Sequence, residues 1–137
     1  FAGSKTFVMG LNLAAFTFGN EELQMDAELA TFSLLIGAAV TTTTKFIVDR
    51  TRPNNADVPR WDSSFPSGHT TAAFATAVSY GLTHDDILVP LIIIAATVGF
   101  SRIFLGEHWL TDVIAGAIVG GSSAVLVYNF RDEFWDI

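Results

Sequence analysis

The sequence contains no cysteine and only seven lysines and arginines among its 137 residues. Without cysteine no disulfide framework can form, and cysteine usage carries no information about the redox compartment. The formal net charge of −7 argues against a nucleic-acid partner, because such a partner is bound by a basic face that neutralises phosphates. Charged residues make up 15% of the chain, well below the roughly one quarter that is typical of soluble domains.

No targeting signal can be recovered from this sequence. The chain starts at Phe1, without a basic segment, an apolar stretch and a small-residue cleavage site in succession. We therefore expect a processed or N-terminally incomplete form. The length predicts one domain over residues 1–137, and no internal repeat divides it.

What the chain does have is apolar helical patterning. Hydrophobic residues make up 50% of the sequence, and no convincing pair of strands is present. Residues 49–66 contain three of the four prolines and indicate a polar loop. The sequence predicts an all-α, compact bundle of about five helices, at residues 4–18, 25–48, 69–82, 87–104 and 108–130.

The apolar segments are borderline in length for crossing a membrane. The run from Ile87 to Phe100 has about 14 residues, or roughly 21 Å of helix, whereas a spanning helix needs about 20 residues. Extending it to that length includes Ser101 and Arg102. A buried bundle and a set of thin, tilted membrane helices both fit, and the low charge favours membrane embedding.

His108 and Asp112 are four residues apart, so on a helix they share one face. A carboxylate that accepts a hydrogen bond from one imidazole nitrogen leaves the other nitrogen available for attack. Arg102 precedes this pair and could hold two oxygens of a tetrahedral anion. The plainer interpretation is a histidine near a helix start, a capping aspartate and a salt-bridged arginine.

Two further motifs contain small or cationic residues at predicted helix ends. In Pro66-Ser67-Gly68-His69, the helix N-terminus would bind an anion, Gly68 would allow close approach, and His69 would donate a proton. Simple capping by Ser67 is the alternative. Lys45 and Arg52-Pro53 place two cations around the end of the second helix, where they could equally meet the helix dipole. Arg50 and Arg60 are interpreted as surface charges, or at most as substrate-entry residues.

The order and spacing of these motifs resemble the signature of the type 2 phosphatidic acid phosphatase superfamily. That signature is K-x6-RP, then PSGH, then SR-x5-H-x3-D, and this sequence matches it at every position. The matching positions are Lys45, Arg52-Pro53, Pro66 to His69, Ser101-Arg102, His108 and Asp112. The resemblance covers about residues 40–121, and the part before it is shorter than in six-helix membrane members.

The resemblance implies a metal-independent phosphatase, without a cofactor, that hydrolyses a phosphomonoester or diphosphate through a phosphohistidine. By position, His108 is the expected nucleophile, Asp112 its orienting partner, and His69 the acid that protonates the leaving oxygen. The expected phosphate-binding residues are Lys45, Arg52, Ser67, Gly68 and Arg102. Preorganised donors of this kind are the main means of stabilising the charge that phosphoryl transfer develops.

Several functions share such a pocket. We expect an integral membrane phosphatase that acts on a phosphorylated lipid, with its active site facing the extracytoplasmic side. A soluble acid phosphatase, periplasmic or secreted, is the main alternative. A vanadium-dependent haloperoxidase is disfavoured because this chain is too short, and a non-enzymatic anion-binding protein is the plainest alternative. Aromatic residues expected around the pocket suit an apolar tail: Trp61, Phe65, Phe104 and Trp109.

Overall fold

Asn20 lies between the first two helices and caps the second one in the computed structural model of the chain. The model describes residues 3–135, with side chains described over residues 9–133. The side-chain oxygen of Asn20 accepts a hydrogen bond from the Leu23 amide at 2.9 Å, a standard N-cap. The second helix therefore begins at Glu21, four residues before the predicted start. The prediction used Asn20 only as a signal for the end of the first helix, whereas asparagine is also a favourable N-cap residue.

The described residues form six helices and no strand. They are α1 (Gly3–Phe18), α2 (Glu21–Val48), α3 (Gly68–Thr83), α4 (Asp85–Phe104), α5 (Leu110–Asn129) and the short α6 (Arg131–Trp135). A 3-10 turn at Arg60–Asp62 interrupts the loop between α2 and α3. The predicted all-α bundle is confirmed, with five substantial helices.

Helix α3 lies at the centre and packs against α2, α4 and α5. The closest approach is to α5, because Gly116 and Gly120 of α5 face the backbone of α3. A Cβ atom at Gly116 would lie 2.6 Å from the Ser67 carbonyl oxygen, and one at Gly120 would overlap the Thr71 carbonyl oxygen. The two glycines therefore bring the beginnings of α3 and α5 side by side.

One end of the bundle collects the ends of α2 and α4 and the beginnings of α3 and α5. Three loop hydrogen bonds tie this end together. The Ser67 amide donates to the Asp112 carbonyl at 2.9 Å, the Asn54 amide to the Gly106 carbonyl at 3.0 Å, and the Trp109 indole to the Thr51 carbonyl at 3.0 Å. The three motifs therefore meet at this end.

The opposite end of the bundle is held by polar pairs of its own. His84, which follows α3, lies with its Nε2 2.7 Å from a carboxylate oxygen of Asp26 in α2. The Tyr80 hydroxyl donates to the Asn12 side-chain oxygen at 2.9 Å, which joins α3 to α1. His84 is consequently remote from the motifs.

Within the described residues, α2, α4 and α5 are long and apolar enough to cross a membrane by length and composition. Their outward faces carry large apolar side chains that no other described part of the chain covers. Among the most exposed are Leu35, Ile47, Val89, Ile93, Ile94, Phe100 and Ile118. Contiguous apolar surface of this extent is unusual for a soluble monomer and indicates contact with lipid.

Candidate active site

His108 lies in the short connection between α4 and α5, and 3% of its surface is exposed. Its Nδ1 atom is 2.7 Å from the Ser64 carbonyl oxygen. A carbonyl oxygen can only accept a hydrogen bond, so Nδ1 carries the proton in this arrangement. The neutral ring then has its lone pair on Nε2, the nitrogen that a nucleophile would use.

The surroundings of His108 favour the neutral ring. Burial lowers the pKa of His108 below its ordinary value, and the nearby charges of Lys45 and Arg52 lower it further. Asp112 and the Ser64 carbonyl act in the opposite direction without cancelling this effect. Because the shift is downward, the imidazole stays unprotonated to a lower pH than an exposed histidine would.

Asp112 is completely buried in the first turn of α5. Its Oδ2 atom accepts hydrogen bonds from the Ser64 hydroxyl and, at 2.8 Å, from the Trp109 amide. The distance from Oδ2 to the His108 Nδ1 is 3.7 Å, which exceeds hydrogen-bonding range. The carboxylate therefore lies beside the imidazole, while Ser64 holds both groups, the ring by its carbonyl and the carboxylate by its hydroxyl.

Arg50 completes the surroundings of Asp112. Its Nη1 atom lies 2.8 Å from Asp112 Oδ1 and 2.6 Å from the Thr111 hydroxyl, and its guanidinium lies 5.3 Å from the ring centroid of Trp109. Arg50 is thus partly exposed, as a surface charge would be, but its charged end pairs with a buried carboxylate, a contact that the sequence did not predict. Arg60 matches the interpretation as a surface charge, since it is exposed and pairs only with Asp49, at 2.9 Å, among the described residues.

Ser67 caps α3. Its hydroxyl oxygen accepts from the Thr70 hydroxyl at 2.9 Å and, more weakly, from the Thr70 amide at 3.4 Å. The plain capping interpretation therefore holds for this side chain, although a hydroxyl that accepts twice can still donate its own proton. The Gly68 amide stands at the first position of α3, where a helix offers no internal acceptor, and His69 follows it.

The three predicted phosphate-binding cations are withdrawn from solvent. Lys45 and Arg102 are 5% and 4% exposed, and Lys45 donates to the Ser63 carbonyl. Arg52 donates to the Asp62 carbonyl at 3.0 Å and contacts the Asp62 carboxylate at 2.9 Å. The structure thus places every site residue that the sequence predicted at the same end of the bundle.

Two buried arginine donors at this end have no hydrogen-bond partner within the described part of the chain. They are the Nε atoms of Arg52 and Arg102. Buried polar groups are normally satisfied, so these unused donors make the two guanidinium groups the candidate anion site. Among residues 3–135 no cluster of histidine, aspartate and glutamate side chains has the arrangement of a metal site.

Comparison with known proteins decides the family. Residues 29–136 match the family model of the PAP2 superfamily. The chain belongs to the PAP2 superfamily. This result confirms the resemblance that the three motifs predicted.

The PAP2 relatives include undecaprenyl-diphosphatase BcrC of Bacillus subtilis (strain 168), which is 30% identical over 126 residues. That match covers 88% of this chain and 65% of the relative's length. The lipid A 1-phosphatase of Porphyromonas gingivalis is 38% identical over 92 residues, which is 64% of this chain and 20% of that protein. The chain thus spans less than two thirds of the length of these relatives.

The fold is similar to that of two solved structures. The crystal structure of Aquifex aeolicus LpxE superposes with a TM-score of 0.71 at 24% identity, covering 91% of this chain and 83% of that one. A transmembrane PAP2-type phosphatidylglycerolphosphate phosphatase from Bacillus subtilis gives 0.58 at 24% identity, covering 94% and 75%. With its three apolar helices, this PAP2 chain is an integral membrane protein, as the low charge predicted.

Proposed function

We propose that the chain is a membrane phosphatase that hydrolyses a phosphate group attached to a lipid through a phosphohistidine at His108. The observation that carries the proposal is the fixed tautomer of His108. Its Nδ1 proton is bound to the Ser64 carbonyl at 2.7 Å, which leaves Nε2 as the attacking atom. The buried Nε donors of Arg52 and Arg102, which have no partner among the described residues, support an anion site at this end of the bundle.

The reaction would proceed in two displacements. In the first, Nε2 of His108 attacks phosphorus, the bond to the leaving oxygen breaks, and His69 gives that oxygen a proton. In the second, water attacks phosphorus and gives a proton to His69, the P–N bond breaks, and inorganic phosphate leaves. Lys45, Arg52, Arg102, Ser67 and the Gly68 amide would hold the nonbridging oxygens in both steps. No metal ion or cofactor enters the proposal.

The substrate would be anchored in the membrane. Relatives are named as an undecaprenyl-diphosphatase, lipid A 1-phosphatases and a phosphatidylglycerophosphatase, whose substrates all combine a terminal phosphate with an apolar anchor. Exposed aromatic side chains around the same end, among them Trp61, Phe104 and Trp109, would suit such an anchor. The uncovered apolar helices favour this function over a soluble acid phosphatase.

A panel of phosphate-release assays on the detergent-purified chain tests the proposal. We expect kcat/KM on a polyprenyl diphosphate, phosphatidate or phosphatidylglycerophosphate to exceed that on p-nitrophenyl phosphate by roughly tenfold or more, because remote binding energy contributes to the rate. Activity should persist in EDTA. A preference for soluble phosphoesters would favour the acid phosphatase. If no substrate releases phosphate, the proposal that the chain is a phosphatase is refuted.

The side of the membrane that the site faces stays a prediction, and we propose the extracytoplasmic side. Because the sequence has no cysteine, an Asp57→Cys variant would carry a single thiol on the exposed loop between α2 and α3. We expect a membrane-impermeant maleimide to label this variant in intact cells. Labelling only after the cells are broken open would place the site on the cytoplasmic side.

Arg50 is proposed as a positioning residue that holds Asp112. We expect Arg50→Ala to lower kcat by about 10- to 100-fold with little change in KM, because a buried carboxylate that loses its cation also loses its fixed position. Arg50→Lys should recover much of the loss, since it restores the charge. Steady-state kinetics with the preferred substrate provide the measurement.

Arg60→Ala is the matched control, because it removes an arginine from the same loop that pairs only with Asp49 among the described contacts. We expect it to retain nearly full activity. Equal losses in the two alanine variants would show that Arg50 acts only through the charge of the loop. A thermal unfolding curve for each variant separates loss of activity from loss of fold.

A further inference from the structure

Glu107 lies between the two buried arginines of the candidate phosphate site. Its Oε2 atom is 3.4 Å from Arg52 Nη1 and also contacts Arg102 Nη2. Neither the sequence motifs nor the proposed reaction uses this side chain. We propose that Glu107 is a displaceable counter-ion, which occupies the phosphate site in the absence of substrate and thereby weakens the binding of free phosphate. The inference rests on the proposed function of this site.

The position of Oε2 is the reason to expect competition. One Nη group of Arg52 and one of Arg102 converge on this single oxygen. Carboxylate and phosphoryl oxygens are equivalent acceptors for a guanidinium group, so a phosphate bound by both arginines would take the place of Oε2. The Nε atom of Arg102, which lies beside Nη2 on that guanidinium group and has no partner within the described residues, would then gain an acceptor.

Glu107 can leave this position more easily than the arginines can. Its side chain is 26% exposed, whereas those of Arg52 and Arg102 are 11% and 5% exposed. The backbone around it is fixed, because the Glu107 amide donates to the Arg102 carbonyl at 3.1 Å and the Gly106 carbonyl accepts from the Asn54 amide. Rotation about the Glu107 side-chain bonds alone would therefore expose the two guanidinium groups to an incoming anion.

Asp62 contrasts with Glu107 on the other side of Arg52. It binds Arg52 Nη2 both by its carboxylate, at 2.9 Å, and by its backbone carbonyl, at 3.0 Å. No contact of Asp62 with Arg102 is found among the described residues. Asp62 thus contacts only Arg52 directly, although its charge also acts on Arg102, whereas Glu107 contacts both arginines.

The need to displace Glu107 lowers the absolute affinity of the site for every anion. Every anion must replace the same carboxylate, so each loses a similar part of its interaction with the arginines. A lipid substrate offsets this cost through the binding of its apolar part, while inorganic phosphate has no such part. Glu107 would therefore favour release of the phosphate product over its retention.

Direct binding of inorganic phosphate and of orthovanadate to the detergent-solubilised chain tests the inference, by titration calorimetry. Glu107→Gln keeps the size of the side chain and removes its charge. We expect the Kd for both anions to fall by about tenfold or more, which corresponds to removing one competing charge-assisted hydrogen bond. Asp62→Asn is the matched control, because it removes the carboxylate charge beside Arg52 but leaves Glu107 between the two arginines. We expect it to change Kd by less than about threefold.

Equal tightening in the two variants would overturn the inference, because net charge alone would then explain the effect. Weaker phosphate binding by Glu107→Gln would also overturn it and would make Glu107 a residue that positions the arginines. If the unaltered chain and both variants bind neither phosphate nor vanadate, the phosphate site is absent and the proposed function fails as well. If Glu107→Gln binds phosphate as the unaltered chain does, the counter-ion role of Glu107 is refuted and the proposed function stands.

Discussion

Replacement of His108 by glutamine is expected to lower kcat by at least about a thousandfold. An amide has no nucleophilic lone pair at the position of Nε2, so no phosphoryl-enzyme can form, and loss of a nucleophile generally removes most of the catalysis. Glutamine can still occupy a buried polar position beside the Ser64 carbonyl, which limits damage to the fold. The measurement is phosphate release in the steady state, together with trapping of labelled enzyme after quenching in alkali, where phosphohistidine survives.

His84→Gln is the matched control for this variant. His84 pairs with Asp26 at 2.7 Å at the opposite end of the bundle, outside the candidate site. We expect it to keep activity within about threefold and to form labelled enzyme normally. If His108→Gln retained more than a few per cent of the activity, or still became labelled, His108 would not be the nucleophile.

Arg102→Lys is expected to lower kcat/KM by about 100- to 1,000-fold, the range seen when one preorganised donor to the reacting oxygens is removed. Lysine keeps the positive charge, but it lacks the planar fork that can bind two oxygens at once. Arg102 is 4% exposed, and its Nε has no partner among the described residues, so its role depends on geometry more than on charge. Initial rates over a range of lipid substrate concentrations provide the measurement.

Arg131→Lys provides the comparison for this substitution. Arg131 lies after α5, donates to the Tyr128 carbonyl at 2.8 Å and stacks 4.0 Å from the Tyr128 ring centroid. Its replacement should leave kcat/KM within about twofold, because no contact joins it to the candidate site in the described structure. Comparable activity in the two lysine variants would mean that Arg102 does not bind the phosphoryl group.

The helices and the clustering of the motifs could be predicted from the sequence because both depend on local patterns. Apolar runs between Asn20, the proline-rich loop and Gly106 define most helix boundaries, and scarce cations at helix ends indicate an anion site. The predicted positions of Lys45, Arg102 and His108 follow from the same patterns. Their catalytic roles stay predictions until the variants above are measured.

Contacts made by loop residues were beyond prediction, because no periodicity determines where a loop side chain points. Arg50 and Arg60 are equivalent by composition, yet only Arg50 reaches the buried Asp112. Ser64 acts on His108 through its backbone carbonyl, a group that every residue has, so its identity indicates nothing. The glutamate directly before His108 was the available signal for Glu107, whereas nothing in the sequence indicated the role of the Ser64 carbonyl.

The length of α5 sets the depth of the candidate site in the bilayer. Its 20 residues extend about 30 Å, which equals the hydrocarbon thickness of a typical bilayer. The first residue of α5, Leu110, thus lies at the edge of the hydrocarbon, and His108 lies just beyond it. Trp61 and Trp109, both exposed at this end, are residues that favour the headgroup level. We therefore expect His108 to lie level with the phosphates of the surrounding leaflet, where a lipid could reach it by lateral diffusion alone.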